Sequence, residues 1–171
     1  MHETHLRPRC ITALLALALF AAAPLCAQTI LLSVRETSGG TELAAPLPAS
    51  EGLQGSLFDR GFIIFVVPAA GPRPSVAELA ASARSSGAEA ALQLQVEYRD
   101  APRGGNLSQV SATARFLLID AKTGAQRAKG VEEANNRARE KPLTLPELGK
   151  EIGLRVAARV VALFGGEKQA R

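Results

Sequence analysis

The sequence predicts an α+β domain with the element order β-α-β-α-β-β-β-α, in which helices pack on a five-stranded mixed sheet. Within residues 87–100, apolar and polar residues alternate with the period of two that is typical of a half-buried strand. Two helix-capping patterns, at Ser75 and Thr144, each precede apolar residues at helical spacing. The turn sequence at residues 120–124 joins two further strands as a hairpin. Strands and helices therefore share one chain of 171 residues that is 47% hydrophobic and 21% charged.

The first 27 residues have the composition of a secretory signal peptide. Arginines precede an apolar run from Ile11 to Ala23, and a small residue, Ala27, marks the expected cleavage point. The run is too short for a membrane span, which needs roughly 20 apolar residues. Residues 28–171 are then a single domain that is periplasmic or secreted. Lipid attachment at Cys26 is the alternative, although the preceding Leu25 fits a lipoprotein signal poorly.

The first half of the exported chain is predicted to alternate strands with helices. Residues 29–35 form a strand, an extended connector follows over 41–49, and Ser50 caps a short helix over 51–60. The six consecutive large apolar residues of the next strand, 62–67, have no polar face. This pattern favours a central strand that is buried on both sides.

The second half is predicted to hold a helix, three consecutive strands and a closing helix. A capping box at Ser75 starts the first helix, and Gly87 ends it. A long strand over 107–120 is followed by the hairpin and by a polar edge strand over 125–135. In the last helix Gly149 and Gly153 are four residues apart, which favours close packing against the sheet.

Loss of the signal peptide removes both histidines and both cysteines of the chain. Ser-His-Asp and Cys-His catalysis and zinc sites built from these residues are thereby excluded. No phosphate-binding glycine motif is present. The sequence therefore predicts no enzyme, no cofactor and no metal site.

Carboxylates are the remaining catalytic possibility, as in a cell-wall hydrolase that uses Glu97 or Glu132. Glu132 and Glu133 are adjacent, so on a strand they point to opposite faces and do not converge. Asp120 is expected to serve the turn. The basic residues near Arg137 are expected to form a solvated loop, and nucleic-acid binding is not expected because stacking aromatic residues are scarce.

One polar surface is a candidate site for binding another protein. It combines the polar positions of the strand over 87–100 with those of its expected antiparallel neighbour. An ordinary solvated sheet face is the alternative interpretation. The predicted residues are Gln93, Gln95, Glu97, Arg99, Ser111, Thr113 and Arg115.

Three stretches resemble one group of envelope proteins: the curli secretion lipoprotein, the lipoprotein activators of penicillin-binding proteins and the amino-terminal domain of TolB. Residues 86–92 are similar to their glycine-alanine approach to a strand, and residues 116–124 to their apolar strand with a D-x-x-T-G turn. The carboxy-terminal helix matches their last amphipathic helix. The amino-terminal Pro-Phe-like bend of the group is absent, and so is any segment that could form the membrane hairpins of a channel.

The resemblance implies a fold, an envelope location and a role in protein binding. Together with the residues, it predicts a non-catalytic accessory protein with an envelope protein as partner. A domain that assembles with itself through a sheet edge is a further possibility. No membrane span is expected after export.

Overall fold

The computed structural model describes residues 28–45, 47–68, 73–99 and 107–169. The predicted signal peptide and Cys26 lie outside the described residues, as do most of the expected loops after residues 68 and 99. The predicted α+β class and element order are confirmed, with one additional two-residue strand, β2. The elements are β1 (Thr29–Ser38), β2 (Thr41–Glu42), α1 (Pro48–Phe58), β3 (Ile63–Pro68), α2 (Val76–Ser85), β4 (Ala90–Arg99), a 3-10 turn (Leu107–Gln109), β5 (Ser111–Asp120), β6 (Gln126–Asn135) and α3 (Leu145–Gln169).

The strands form one mixed sheet in which β1, β4 and β5 occupy the interior. β1 lies between two parallel neighbours, β3 and β4, and the short β2 extends the β3 side by pairing antiparallel with the end of β1. From β4 the sheet continues antiparallel through β5 to β6. The half-buried strand predicted within residues 87–100 is confirmed as β4, and it lies in the interior of the sheet.

The main core lies between one face of the sheet and the two helices α1 and α3. Leu92, Leu94, Val96 and Tyr98 of β4 point to this face and are at most 2% exposed. Helix α3 contributes a buried stripe at helical spacing, which comprises Leu148, Ile152, Val156, Val160 and Phe164. The buried face of β4 and the buried stripe of α3 therefore belong to the larger of the two apolar clusters of the fold.

Helix α2 covers the opposite face only at one end of the sheet. It buries Leu79, Ala80 and Ala83 against Leu31 of β1 and Ile119 of β5. The predicted capping box is confirmed, because the Ser75 hydroxyl accepts the Glu78 amide and the Glu78 carboxylate accepts the Ser75 amide. The remainder of this face carries no helix among the described residues.

The start of α1 differs from the prediction. The helix begins at Pro48, within the expected connector, and Ser50 does not cap it. Instead the buried carboxylate of Glu36, on β1, accepts the amides of Ala49 at 3.3 Å and Ser50 at 2.8 Å. A negative group from a neighbouring strand thus takes the place of a local cap at the positive end of the helix dipole.

The prediction that the apolar strand is central was wrong. β3 pairs with β1 alone among the described strands, so it is an edge of the sheet. Ile63, Phe65, Val66 and Val67 are between 38% and 48% exposed. A run of apolar residues gives no information about how many neighbours a strand has, and here the described residues supply only one.

The close packing of Gly149 and Gly153 is confirmed, but its partner is mainly helix α1 and not the sheet. A Cβ on Gly153 would meet the backbone of Ala49 and lie 2.8 Å from the Leu53 amide nitrogen. A Cβ on Gly149 would collide with Pro48 and with the Tyr98 hydroxyl. These two glycines let α1 and α3 approach each other over the core.

The hairpin turn forms as predicted, and the glutamate half of the last helix cap forms. The Asp120 carboxylate accepts the Thr123 amide at 2.8 Å, and the returning strand β6 lies at the edge. The Glu147 carboxylate accepts the Thr144 amide at 2.7 Å before α3. Among the residues that the structure describes, no helix is both long enough and apolar enough to cross a membrane.

Candidate protein-binding surface

The predicted polar residues of β4 and β5 lie on one side of the sheet, in register. Gln95 is opposite Arg115, Glu97 is opposite Thr113, and Arg99 is opposite Ser111. Their side chains point away from α1 and α3 because the alternate residues of both strands are buried on that side. We call this surface, the part of the sheet face that α2 leaves uncovered, the open face.

Gln93 is the exception among the seven predicted residues. It lies on the same side of β4 but is only 4% exposed. Its carbonyl oxygen accepts two hydrogen bonds from Arg73, at 3.0 Å and 2.7 Å. Gln93 therefore holds Arg73 at the margin of the open face. Because Gln93 is buried, its own side chain is not available to a partner.

The open face extends onto β6, which the sequence reasoning did not include. Val131 lies opposite Arg115, Glu133 opposite Thr113, and Asn135 opposite Ser111. Each predicted row of two residues therefore continues into a third strand. The hairpin at 120–124 does not by itself predict this row. Ile119 pairs with Gln126 but Leu118 pairs with Ala128, so the register beyond the turn is shifted by one residue, which reverses the face of every later β6 side chain.

The half of the open face nearer α2 is a basic groove. It is lined by Arg73, Arg115 and Lys129 with the apolar side chains of Leu117 and Val131, and among the described residues no carboxylate contributes to its walls. Gln93, the partner of Arg73, is neutral, so the guanidinium charge is not cancelled there. The groove therefore presents positive charge around an apolar floor.

The other half carries both signs of charge. Glu97, Arg99, Glu133 and Arg137 line it together with the small polar residues Ser111 and Thr113. Arg115 and Glu97 approach to 3.8 Å, but both side chains are more than half exposed. An exposed pair at this distance holds its partners weakly, so both groups can turn towards another molecule.

The carboxylates of the hydrolase alternative do not come together. Glu97 lies on the open face, whereas Glu132 lies on the helix side of β6 and accepts a hydrogen bond from Arg159 at 2.9 Å. The sheet separates them. Among the described residues, no group of three or more His, Cys, Asp or Glu side chains is arranged to hold a metal ion.

Comparison with known proteins identifies the class of fold and goes no further. No protein-family model matches the sequence, and no curated protein matches it. Solved structures do match. The chain has the fold of PelC from Paraburkholderia phytofirmans, which was solved as a dodecamer, with a TM-score of 0.52 and 17% identity over 76% of this chain and 86% of PelC.

Two further solved structures belong to the group that the sequence motifs resemble. The LpoB carboxy-terminal domain from Salmonella enterica is 19% identical, with a TM-score of 0.45, over 71% of this chain and 93% of that domain. TolB from Acinetobacter baumannii is 12% identical, with a TM-score of 0.46, over 82% of this chain and 29% of TolB. The match to PelC confirms the resemblance in fold that the sequence predicted.

Proposed function

We propose that this chain is a non-catalytic accessory protein of the bacterial cell envelope that acts by binding another protein through its open face. The observation that carries the proposal is the unequal covering of the sheet: two helices bury one face, whereas α2 covers only one end of the other. The polar side chains on the uncovered part form rows that extend across three strands, β4, β5 and β6.

The charge of the basic groove indicates the chemistry of the partner. Three cationic side chains surround an apolar floor to which no carboxylate of the described residues contributes, so the groove is complementary to an acidic segment with at least one apolar residue. The predicted signal peptide supports an envelope location. The loss of histidine and cysteine with that peptide supports a role in binding and not in catalysis.

The test is affinity capture from the envelope fraction of the native host, followed by titration of the captured protein. The double variant R99E/R115E reverses two charges on the open face. A matched control, R60E/K122E, makes the same change of charge at two exposed positions that lie outside both halves of the open face. We expect the first variant to lose the partner, with an affinity lower by about tenfold or more, and the control to retain it.

Salt provides a second measurement on the same pair of variants. Binding to an acidic segment should weaken as ionic strength rises, and the R99E/R115E variant should show a smaller salt dependence than the native chain. Equal binding by the native chain and the open-face variant, at any salt concentration, would contradict the proposal.

A further inference from the structure

The apolar side chains of β3 are unusual for a strand at the edge of a sheet. Protein edge strands are commonly protected by charged side chains, prolines or bulges. From Ile63 to Val67, β3 carries only apolar residues. Its exposed side chains project from both faces of the sheet, since Ile63, Phe65 and Val67 lie on one side and Val66 lies on the other.

The outer backbone of β3 is available as well. The Ile63 amide donates to the Gln28 carbonyl beside β1, so the backbone groups of alternate residues from Ile63 onward point towards β1. The amide and carbonyl groups of Ile64 and Val66 consequently point away from the sheet. In the part of the chain that the structure describes, no other strand pairs with them.

We propose that β3 is a self-association edge, at which two copies of the chain pair their β3 strands antiparallel about a two-fold axis through Phe65. In this register Ile64 of each copy is opposite Val66 of the other. In each of these two symmetric pairs, the amide of each residue donates to the carbonyl of the other. This is the hydrogen-bonded pair of an antiparallel ladder. The two sheets become one continuous sheet.

The same register accommodates the ends of the strand. Pro68 has no amide, and it falls opposite Phe62, whose amide already donates to the Leu57 carbonyl at 3.1 Å. Neither position therefore loses a donor by facing the other. The two Phe65 rings face each other across the axis as a close cross-strand aromatic pair. Phe58, which is 74% exposed at the end of α1 before β3, adds apolar surface close to this edge.

A second copy of β3 suits this edge better than the other edge of the same protein. β6 carries Lys129, Glu132 and Glu133, so a head-to-tail contact of β3 with β6 would put charged residues beside an apolar strand. In the two-fold contact of β3 with a second β3, apolar residues face apolar residues, and the assembly is complete with two copies. The proposed interface lies at the β3 edge of the sheet, whereas the open face is formed by residues of β4, β5 and β6.

Sedimentation velocity over a dilution series tests the proposal with the full chain, expressed from Met1 and purified in the processed form that the host produces. Val66→Pro removes an outward amide but leaves the ladder to β1 intact, and Phe65→Lys puts a charge on the axis. The control, Val131→Lys, changes a residue of similar exposure on β6. Circular dichroism and thermal melting establish that each variant is folded.

We expect the native chain to be a dimer that dissociates on dilution. V66P removes two inter-strand hydrogen bonds per dimer and should raise the dissociation constant by about tenfold or more. F65K should have an effect at least as large, and V131K should leave the dimer unchanged. A chain that is monomeric at every concentration, assemblies larger than two copies, or a dimer that survives both V66P and F65K would overturn the proposal.

Cross-linking tests the register independently. Phe65→Cys puts two thiols opposite each other across the axis, where mild oxidation should form a covalent dimer that Val131→Cys does not form. A folded F65C chain that dimerises without forming this bond would overturn the proposed register. The R99E/R115E variant should dimerise as the native chain does, so failure of this inference and failure of the proposed function are distinguishable.

Discussion

Glu36 is only 1% exposed, and its carboxylate connects β1 with β4 and α1. Besides the two α1 amides, its carboxylate accepts the Tyr98 hydroxyl at 2.5 Å. Burial, together with the Glu36 carboxylate, raises the pKa of Tyr98. The phenol therefore remains protonated and is a constant hydrogen-bond donor at any physiological pH.

Replacing Glu36 by alanine should be among the most damaging single changes in this fold. E36A leaves two helix amides and one phenol without their acceptor in the core, so we expect the free energy of unfolding to fall by about 3 kcal/mol. Y98F removes one hydrogen bond and should cost about 1 kcal/mol. Urea denaturation of both variants and of the double variant measures these values. An E36A cost no larger than that of Y98F would contradict the capping role.

Asp120 gives the hairpin a dependence on pH. The Thr123 amide, followed by the Arg127 guanidinium at 3.0 Å, lowers the pKa of Asp120 from 3.8 to about 2. A lowered pKa in the folded state stabilises the protein above the unfolded-state value, and this contribution is lost as the pH falls towards the folded-state value.

The variant D120N should therefore be less stable than the native chain near neutral pH, by about 1 kcal/mol. The difference should shrink as the pH falls from 3.8 towards about 2. Thermal or urea denaturation at several pH values measures the difference. A cost of D120N that is the same at every pH would show that the charge of Asp120 contributes nothing.

At the level of elements, contact between α1 and α3 depends on small residues at fixed places. G153A would put a methyl group against the backbone of α1, which cannot move as a side chain can, so we expect a loss of about 2 kcal/mol. Gly55 is in the same helix pair but has open space around it. G55A is the matched control and should stabilise the fold by about 0.5 kcal/mol. Equal effects of the two substitutions, measured by urea denaturation, would contradict this packing.

The elements show which sequence patterns carry structural information. The period of two in β4, the capping boxes at Ser75 and Thr144 and the turn at Asp120 are local signals, and each predicted its element correctly. The start of α1 could not be predicted because its cap, Glu36, comes from another strand. The position of β3 could not be predicted because an apolar strand looks the same whether it has one neighbour or two.

The open face also combines residues that local patterns place with residues that distant contacts place. Its β4 and β5 residues were predictable from alternation. The β6 row was not, because the register shift between Leu118 and Ile119 changes which β6 side chains share that face. The basic groove was not predictable, because Arg73 comes from the segment before α2 and reaches the groove through its contact with Gln93. Sequence spacing gives no signal of that contact, which depends on where α2 lies on the sheet.

The sheet has three interior strands, β1, β4 and β5, each hydrogen-bonded to a neighbour on either side, and two edges that differ in chemistry. Amide hydrogen exchange should follow this arrangement, because exchange requires that a backbone hydrogen bond open. We expect the slowest exchange in β1 and β4 and faster exchange in β6. In the monomer, the amides of Ile64 and Val66 should exchange fastest among the residues of β3, since they point away from β1.

Protection at β3 should then depend on protein concentration. If two copies pair at this edge, the amides of Ile64 and Val66 become donors within the dimer, and their exchange should slow as concentration rises while exchange in β6 does not change. Exchange measured by NMR or mass spectrometry at two concentrations detects this difference. The V66P variant retains the Ile64 amide. The exchange rate of this amide in V66P therefore shows whether losing the Val66 donor separates the two β3 strands along their whole length. Concentration-independent exchange at Ile64 in the native chain would mean that β3 remains an open edge in solution.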